Sequence, residues 1–289
     1  MTGRRGDGEW RSRGDAGNLS CFTPHASCLT PRASNPTPQA ALLPGERLDA
    51  LGRDGLRIIQ NPRLFRFTTD AYLLAAFARP KEGEQVLELG SGSGVVLILL
   101  AARTGLTRAV GLEIQPALAE MAGRNIALNG LEERAIVLQH DLRVAGPLDP
   151  PSFDLVVANP PYIPVTAGLQ SPNQPLAQAK HELTCTLRDV VEAATRWIKR
   201  RGRFVLVHRP ERLPEILAEL TRVQLKPKKL ALVHPNPMSP AAHLLVEAWS
   251  GARSGLVVDP PLCVRDSQGG FTREMEEVFA GRWPWETKT

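Results

Sequence analysis

The feature that most constrains this chain is a short apolar strand running straight into three alternating glycines and then a second apolar run. It reads Val86-Leu-Glu-Leu-Gly-Ser-Gly-Ser-Gly94, followed at once by Val95-Val-Leu-Ile-Leu-Leu-Ala-Ala102. Glycine lets the backbone turn sharply and approach a ligand with no Cβ in the way. The N-terminus of the following helix adds free N–H groups and a positive dipole end suited to a carboxylate or phosphate. A glycine turn of this kind also arises for steric reasons alone, so its neighbours decide the reading.

Those neighbours alternate. Strands are expected at Gln85–Leu89, Arg108–Leu112, Ala135–Gln139, Phe153–Ala158, Arg203–His208, Lys229–His234 and His243–Trp249. Helices are expected at Gly94–Arg103, Pro116–Leu128, Leu187–Lys199 and Glu211–Val223. Apolar, unalternating strands separated by helices predict an α/β fold whose mostly parallel sheet is covered by helices on both faces. The last two strands have no helix between them, so one of them runs antiparallel. Upstream, Leu56–Gln60 and Leu64–Phe67 flank Asn61-Pro-Arg63 and read as two strands around a turn. Thr68, Thr69 and Asp70 then supply a capping residue for a helix through Phe77.

Residues 1–44 are rich in Gly, Ser, Pro, Arg and Asn and have no apolar period. They predict a disordered tail, or the product of a start codon placed too early. The remaining chain carries enough apolar residue (43% overall) for a sizeable core, which excludes wholesale disorder, a collagen repeat and a coiled coil. The uncharged stretch around the apolar run, Leu89–Ala102, has 14 residues, short of the roughly 20 of a membrane span. No signal peptide is read at the start, and a cytoplasmic protein is expected. The four cysteines form no CxxC pair, and Cys21, His25 and Cys28 offer three ligands without a fourth, so no metal site is assigned.

The net charge is +5. Between Arg196 and Lys229 stand eleven Lys and Arg against three Glu, a larger excess than that of the whole chain. Such a window suits phosphate contacts, with Lys199, Arg200 and Arg201 near its start. A solvated face of helix ends and loops is the plain alternative.

Three further positions carry chemistry. Glu113 ends the second strand, 19 residues after Gly94, where an acid can accept the ribose hydroxyls of a nucleoside cofactor; an exposed Glu at a helix start explains it equally well. Asp141 follows the third strand, where an acid accepts from an adenine amino group; a capping Asp explains it equally well. Asn159-Pro160-Pro161-Tyr162 ends the fourth strand. Two prolines fix the backbone and remove two N–H donors. The Asn159 side-chain carbonyl and the Pro160 carbonyl are then placed to accept from one planar –NH₂ group. That orients a poor nitrogen nucleophile for in-line attack without a general base. Tyr162 offers a face for stacking a planar group.

In that order these motifs resemble class I S-adenosylmethionine-dependent methyltransferases that modify exocyclic or amide nitrogen. The resemblance implies a Rossmann-like seven-stranded sheet with its last strand antiparallel. It places Glu88, Gly90, Ser91, Gly92 and Gly94 around the cofactor, Glu113 on its ribose, Asp141 on its adenine, and Asn159–Tyr162 at the target nitrogen.

A narrower resemblance rests on Leu51–Gln60, Phe65-Arg-Phe-Thr-Thr-Asp-Ala-Tyr-Leu-Leu-Ala75, Lys180-His-Glu182, Val207–Leu213, Val233-His-Pro235 and Asp259-Pro-Pro-Leu262. Together these look like the bacterial tRNA(Val) adenine-N6 methyltransferases, which modify the adenine just 3′ of the anticodon. This implies a hairpin and helix over residues 45–80 that close over the cofactor, with Asp70 in the closing stretch. It implies a methyltransferase domain with a C-terminal extension over 81–289, and His181 and Glu182 beside a tRNA anticodon loop. A monomer is the default. Two departures stand out: Lys180 replaces an expected arginine, and the loop 166–179 is proline-rich. The competing enzymes are a glutamine-N5 methyltransferase acting on a release factor and a guanine-N2 methyltransferase acting on ribosomal RNA. A non-catalytic RNA-binding relative is disfavoured because no motif residue is replaced by an incompetent type.

Overall fold

The computed structural model describes residues 42–52, 54–64, 67–160 and 185–285. The strands are β1 (Arg47–Leu51), β2 (Leu56–Gln60), β3 (Gln85–Leu89), β4 (Arg108–Glu113), β5 (Ala135–Gln139), β6 (Phe153–Ala158), β7 (Ile198–His208), β8 (Leu225–His234), β9 (His243–Ser250), β10 (Val257–Val258) and β11 (Leu262–Cys263). The helices are α1 (Thr69–Ala78), α2 (Val95–Arg103), α3 (Pro116–Leu128), α4 (Leu187–Trp197), α5 (Leu213–Arg222) and α6 (Arg273–Phe279).

The main sheet runs β10-β8-β9-β7-β6-β3-β4-β5, with β11 also on β8. Every pairing in it is parallel except those of β9, which is antiparallel to both β7 and β8. The seven long strands thus have the expected arrangement. The two extra strands are two-residue pieces of the C-terminal extension laid along β8. One face of the sheet packs against α1, α2 and Ile126 of α3, and also takes in Met275, Val278 and Trp283 from the extension. The other packs against α4 and α5 through Val190, Val191, Trp197, Ile216 and Leu220.

Several boundaries differ from expectation. The partner of β2 is β1, the two forming an antiparallel hairpin joining Leu51 to Leu56; the strand expected at Leu64–Phe67 includes positions 65 and 66, which lie outside the described residues. Asn61–Leu64 does turn, with the Leu64 N–H donating to the Asn61 carbonyl, but it leads onward to α1. Thr68 precedes α1 in extended conformation without a side-chain cap bond. Helix α4 stops at Trp197, two residues early, because Ile198 already pairs with Phe153. The register then shifts before Leu155 meets Arg203, and Arg201 takes a left-handed conformation in the bulge (φ 68°). The expected helix from Glu211 begins instead with a 3₁₀ turn, Pro210–Arg212.

Helix α1 is fastened to the sheet at both ends. At its start, buried Asp70 meets His243 Nε2 at 2.8 Å. At its end, the buried Arg203 guanidinium donates to the carbonyls of Ala78 (2.7 Å) and Arg79 (3.2 Å) and to Glu84 (2.8 Å). Among the described residues no helix is long and apolar enough to cross a membrane.

Candidate active site

Parallel strands deliver their C-terminal ends to one edge, and three adjacent strands deliver the motifs. Leu89 of β3 pairs with Leu112 of β4 and with Ala158 of β6. Gly90, Glu113 and Asn159 therefore end neighbouring strands at nearly one level, spread over two strand spacings, about 10 Å.

The glycine turn is docked on β4: the N–H groups of Gly90 and Ser91 both donate to the Leu112 carbonyl, at 2.9 and 3.0 Å. Gly94 adopts φ 82° and a Cβ there would sit 3.2 Å from the Ala122 Cβ, so the residue serves both turn and packing. Gly111, which sequence reasoning left without a role, is more restrictive still. A Cβ on it would fall 2.2 Å from the Ser91 hydroxyl oxygen. The buried Glu113 carboxylate accepts from the Gly92 N–H (2.8 Å) and the Gln115 N–H (2.9 Å). Two backbone donors thus fix it beside the turn.

Glu88 lies beneath, fully enclosed, and accepts from the Leu97 N–H at 3.2 Å. Burial pushes its pKa up to about 8, against the Leu97 hydrogen bond that favours the charge; nearby Glu113 raises it further. Asp141 stands two residues beyond β5, past the His140 N–H bond to the Glu113 carbonyl. Its carboxylate is gripped by the Arg143 fork at 2.9 and 2.5 Å, which holds its pKa below the usual range. It also accepts the Arg143 N–H, as a capping aspartate would.

Asn125 is a member that sequence reasoning missed. Buried on α3, it donates to the carbonyls of Ser93 (2.9 Å) and Ile59 (3.0 Å) and accepts from the Ile59 N–H (2.6 Å). One side chain so ties the glycine turn to the β1–β2 hairpin. The available signal was a polar residue among Met121, Ala122 and Ile126 on the apolar stripe of that helix. His208, at the end of β7, is also enclosed. Its Nδ1 accepts the Arg209 N–H at 2.8 Å, and burial together with Arg212 pushes its pKa down to about 4.

Other expected residues fall elsewhere. Lys199, Arg200 and Arg201 lie at the opposite edge, because Ile198 pairs with Phe153 at the start of β6, six residues or about 20 Å before Asn159. Lys199 there binds Asp154 (2.9 Å). Much of the basic window is likewise committed: Arg203 to Glu84, Arg212 to Glu215, Arg222 to Glu219 and Glu192, Lys229 to Asp259. Pro161, Tyr162, His181 and Glu182 lie outside the described residues.

An open glycine turn, a fixed acid at the end of the next strand and a sheet of this order with β9 inverted define the class I S-adenosylmethionine-dependent methyltransferases. The fold is shared with a crystal structure described as a predicted O-methyltransferase from Agrobacterium tumefaciens, with a TM-score of 0.61 at 24% identity, covering 76% of this chain and 99% of that one. The model of the ribosomal protein L11 methyltransferase family matches residues 67–160.

Longer matches are more specific. A Parabacteroides distasonis protein named tRNA1(Val) (adenine(37)-N6)-methyltransferase is 31% identical over 181 residues, which span 62% of this chain and 74% of the relative. A Porphyromonas gingivalis protein of the same name is 27% identical over 219 residues, 72% of this chain and 85% of the relative. The chain belongs to this tRNA adenine-N6 methyltransferase family.

Proposed function

We propose that the chain transfers a methyl group to the exocyclic N6 of an adenine in a tRNA anticodon loop, next to the anticodon. The observation that carries this reading is the meeting of Asn159-Pro160, Gly90–Gly94 and Glu113 on one sheet edge, in a chain whose long curated matches carry that activity in their names.

S-adenosylmethionine supplies an electrophilic methyl on a sulfonium. The residues present suit it. A Cβ at Gly90 would meet no atom within 4 Å, so that side of the turn is open. The Glu113 carboxylate, fixed by the Gly92 and Gln115 N–H groups, is an acceptor of the kind a ribose diol needs. Glu88, Ser91 and Asp141 complete the cofactor side. The β1–β2 hairpin and α1, tied down through Asn125 and Asp70, form the part that closes over it.

On the substrate side the adenine, unstacked from its loop, enters beside Asn159. The Asn159 and Pro160 carbonyls accept from its amino group and aim the nitrogen lone pair along the attack line. Tyr162 stacks on the ring, and His181 and Glu182 flank it. Preorganised acceptors also stabilise the positive charge that develops on the attacking nitrogen, which then gives up one proton to water or a nearby acceptor.

The test is transfer of labelled methyl to bulk tRNA followed by nucleoside mass spectrometry, with a release factor in parallel. The expected product is N6-methyladenosine in tRNA. Asn159→Ala is expected to lower turnover at least about a hundredfold, the scale of losing a transition-state hydrogen-bonding group, while S-adenosylhomocysteine still binds in a calorimeter. Label in the release factor, or N2-methylguanosine in ribosomal RNA, would reassign the substrate. Loss of cofactor binding in the folded variant would break the division of roles.

A further inference from the structure

We propose that the exposed hairpin carrying Arg265 and Phe271 is a base-stacking platform that docks the RNA substrate on the catalytic edge of the sheet. This rests on the RNA reading above and names the surface that would serve it.

Strand β11 lies along the end of β8, with Cys263 opposite His234. The backbone continues past that end: the N–H of Val264 donates to the His234 carbonyl (2.8 Å) and that of Arg265 to the Pro235 carbonyl (3.0 Å). The hairpin therefore projects from the edge where β6 delivers Asn159 and where β9 begins at His243, the partner of Asp70. The opposite edge, with Lys199–Arg201, is a full strand length away.

Arg265 and Phe271 pair across an antiparallel bridge. The turn between them is closed by the Asp266 N–H to the Gly270 carbonyl (2.9 Å), and the Asp266 carboxylate accepts from Gln268 (2.8 Å) and Gly270 (3.0 Å). The Arg265 guanidinium lies over the Phe271 ring, 4.6 Å from its centroid, and donates to the Gly269 carbonyl. Behind it runs an aromatic row: Phe271 meets Phe279 edge-on at 5.0 Å, and Phe279 meets Tyr72 at 5.2 Å. Tyr72 stands two residues after Asp70 on α1. The ring is thus held from behind while 44% exposed in front, with Met238, 93% exposed, at the tip of the adjoining β8–β9 connection.

A fixed ring with a guanidinium stacked on it costs little ordering on binding. Unstacked bases pack on aromatic and guanidinium planes, and anticodon loops present such bases. The phosphate chain finds a cation in the same place. A nucleic-acid loop is therefore the occupant that uses both halves of the pair. The committed ion pairs of the basic window leave this surface as the better candidate for contact.

The experiment measures methyl-transfer kinetics on a tRNA transcript, with S-adenosylhomocysteine affinity and melting temperature as companions. Phe271→Leu is expected to raise KM for tRNA about tenfold, the scale of one lost stacking contact, with kcat, cofactor affinity and melting unchanged. Phe271→Trp is expected to retain the wild-type KM. Arg265→Ala, which removes the guanidinium plane over Phe271 and its bond to the Gly269 carbonyl, is expected to raise KM in the same way. Unchanged KM in both Phe271→Leu and Arg265→Ala would overturn the proposal. So would a KM rise that tracks melting or cofactor affinity, or loss of affinity on Arg200→Glu with Phe271→Leu unaffected. A wild-type protein that labels release factor and not tRNA would sink the substrate reading itself, and does so before any variant is made.

Discussion

Glu88 is a carboxyl group with nowhere to put its charge. Its folded pKa, pushed up to about 8 by burial, lies well above the 4.5 of an ordinary glutamate. The folded chain therefore holds a proton that the unfolded chain releases, so this contribution is intact below 4.5 and is lost as pH rises through 8. His208 works in the opposite direction. With its folded pKa pushed down from 6.5 to about 4, its contribution is present above 6.5 and is lost as pH falls toward 4. Ligand-free protein should be most stable between these limbs. Glu88→Gln, which preserves an acceptor for the Leu97 N–H, is expected to remove the alkaline limb. Urea midpoints at pH 5 and pH 8.5 check this: the variant should gain on wild type at the higher pH, and parallel curves would contradict the assignment. At this scale the sequence was informative where a residue's meaning is local. Gly90–Gly94, Glu113 and Asn159 follow strands and need no distant partner to be read. Asn125 and the Asp70–His243 pair acquire meaning only from elements far off in the chain, and Lys199–Arg201 fall at the end of the sheet away from Asn159, which composition alone does not show.

At the scale of elements, α4 shows how a boundary is set. Thr186 accepts from the Asp189 N–H (3.2 Å) while the Asp189 carboxylate accepts from the Thr186 N–H (2.7 Å), a reciprocal cap that satisfies two otherwise orphan donors. The helix packs Val190, Val191, Ala194 and Trp197 beneath the strands that carry the site. Thr186→Ala should cost about 1 kcal/mol of unfolding free energy, and Thr186→Ser should restore most of it; chemical denaturation at neutral pH measures both. A loss below a few tenths of a kcal/mol would mean that the cap is idle. The strands of the central sheet were legible because burial on both faces makes them continuous apolar runs. The hairpin partner of β2 was not. Arg47-Leu-Asp-Ala-Leu51 is a half-buried edge strand with two charges, and an apolar-rich segment on the other side of Asn61-Pro62 competed for the same role.

The whole molecule is closed by its C-terminal extension. Trp283 is buried, meets Phe77 of α1 edge-on at 4.9 Å, and donates its indole N–H to buried Asp259 at 2.7 Å. Asp259 in turn meets Lys229 of β8 at 3.3 Å. One indole thus joins the extension, the first helix and the outer part of the sheet. Aromatic composition alone could not show this, since it depends on Asp259 reaching the same place by way of β10. Removal should be felt throughout, not locally. Trp283→Ala leaves a large cavity against Phe77 and an acid short of one donor, so a loss of about 3–5 kcal/mol is expected. Trp283→Phe keeps the ring contact and drops the N–H, with a smaller loss of about 1–3 kcal/mol. Because Phe77 belongs to the core shared by α1, α2 and the sheet, both variants should still unfold in one transition at a lower midpoint. Two transitions, or fast amide exchange confined to the extension with β3 and β6 protected, would instead make it a separately opening unit. In that case the Arg265–Phe271 hairpin would be carried on a movable arm.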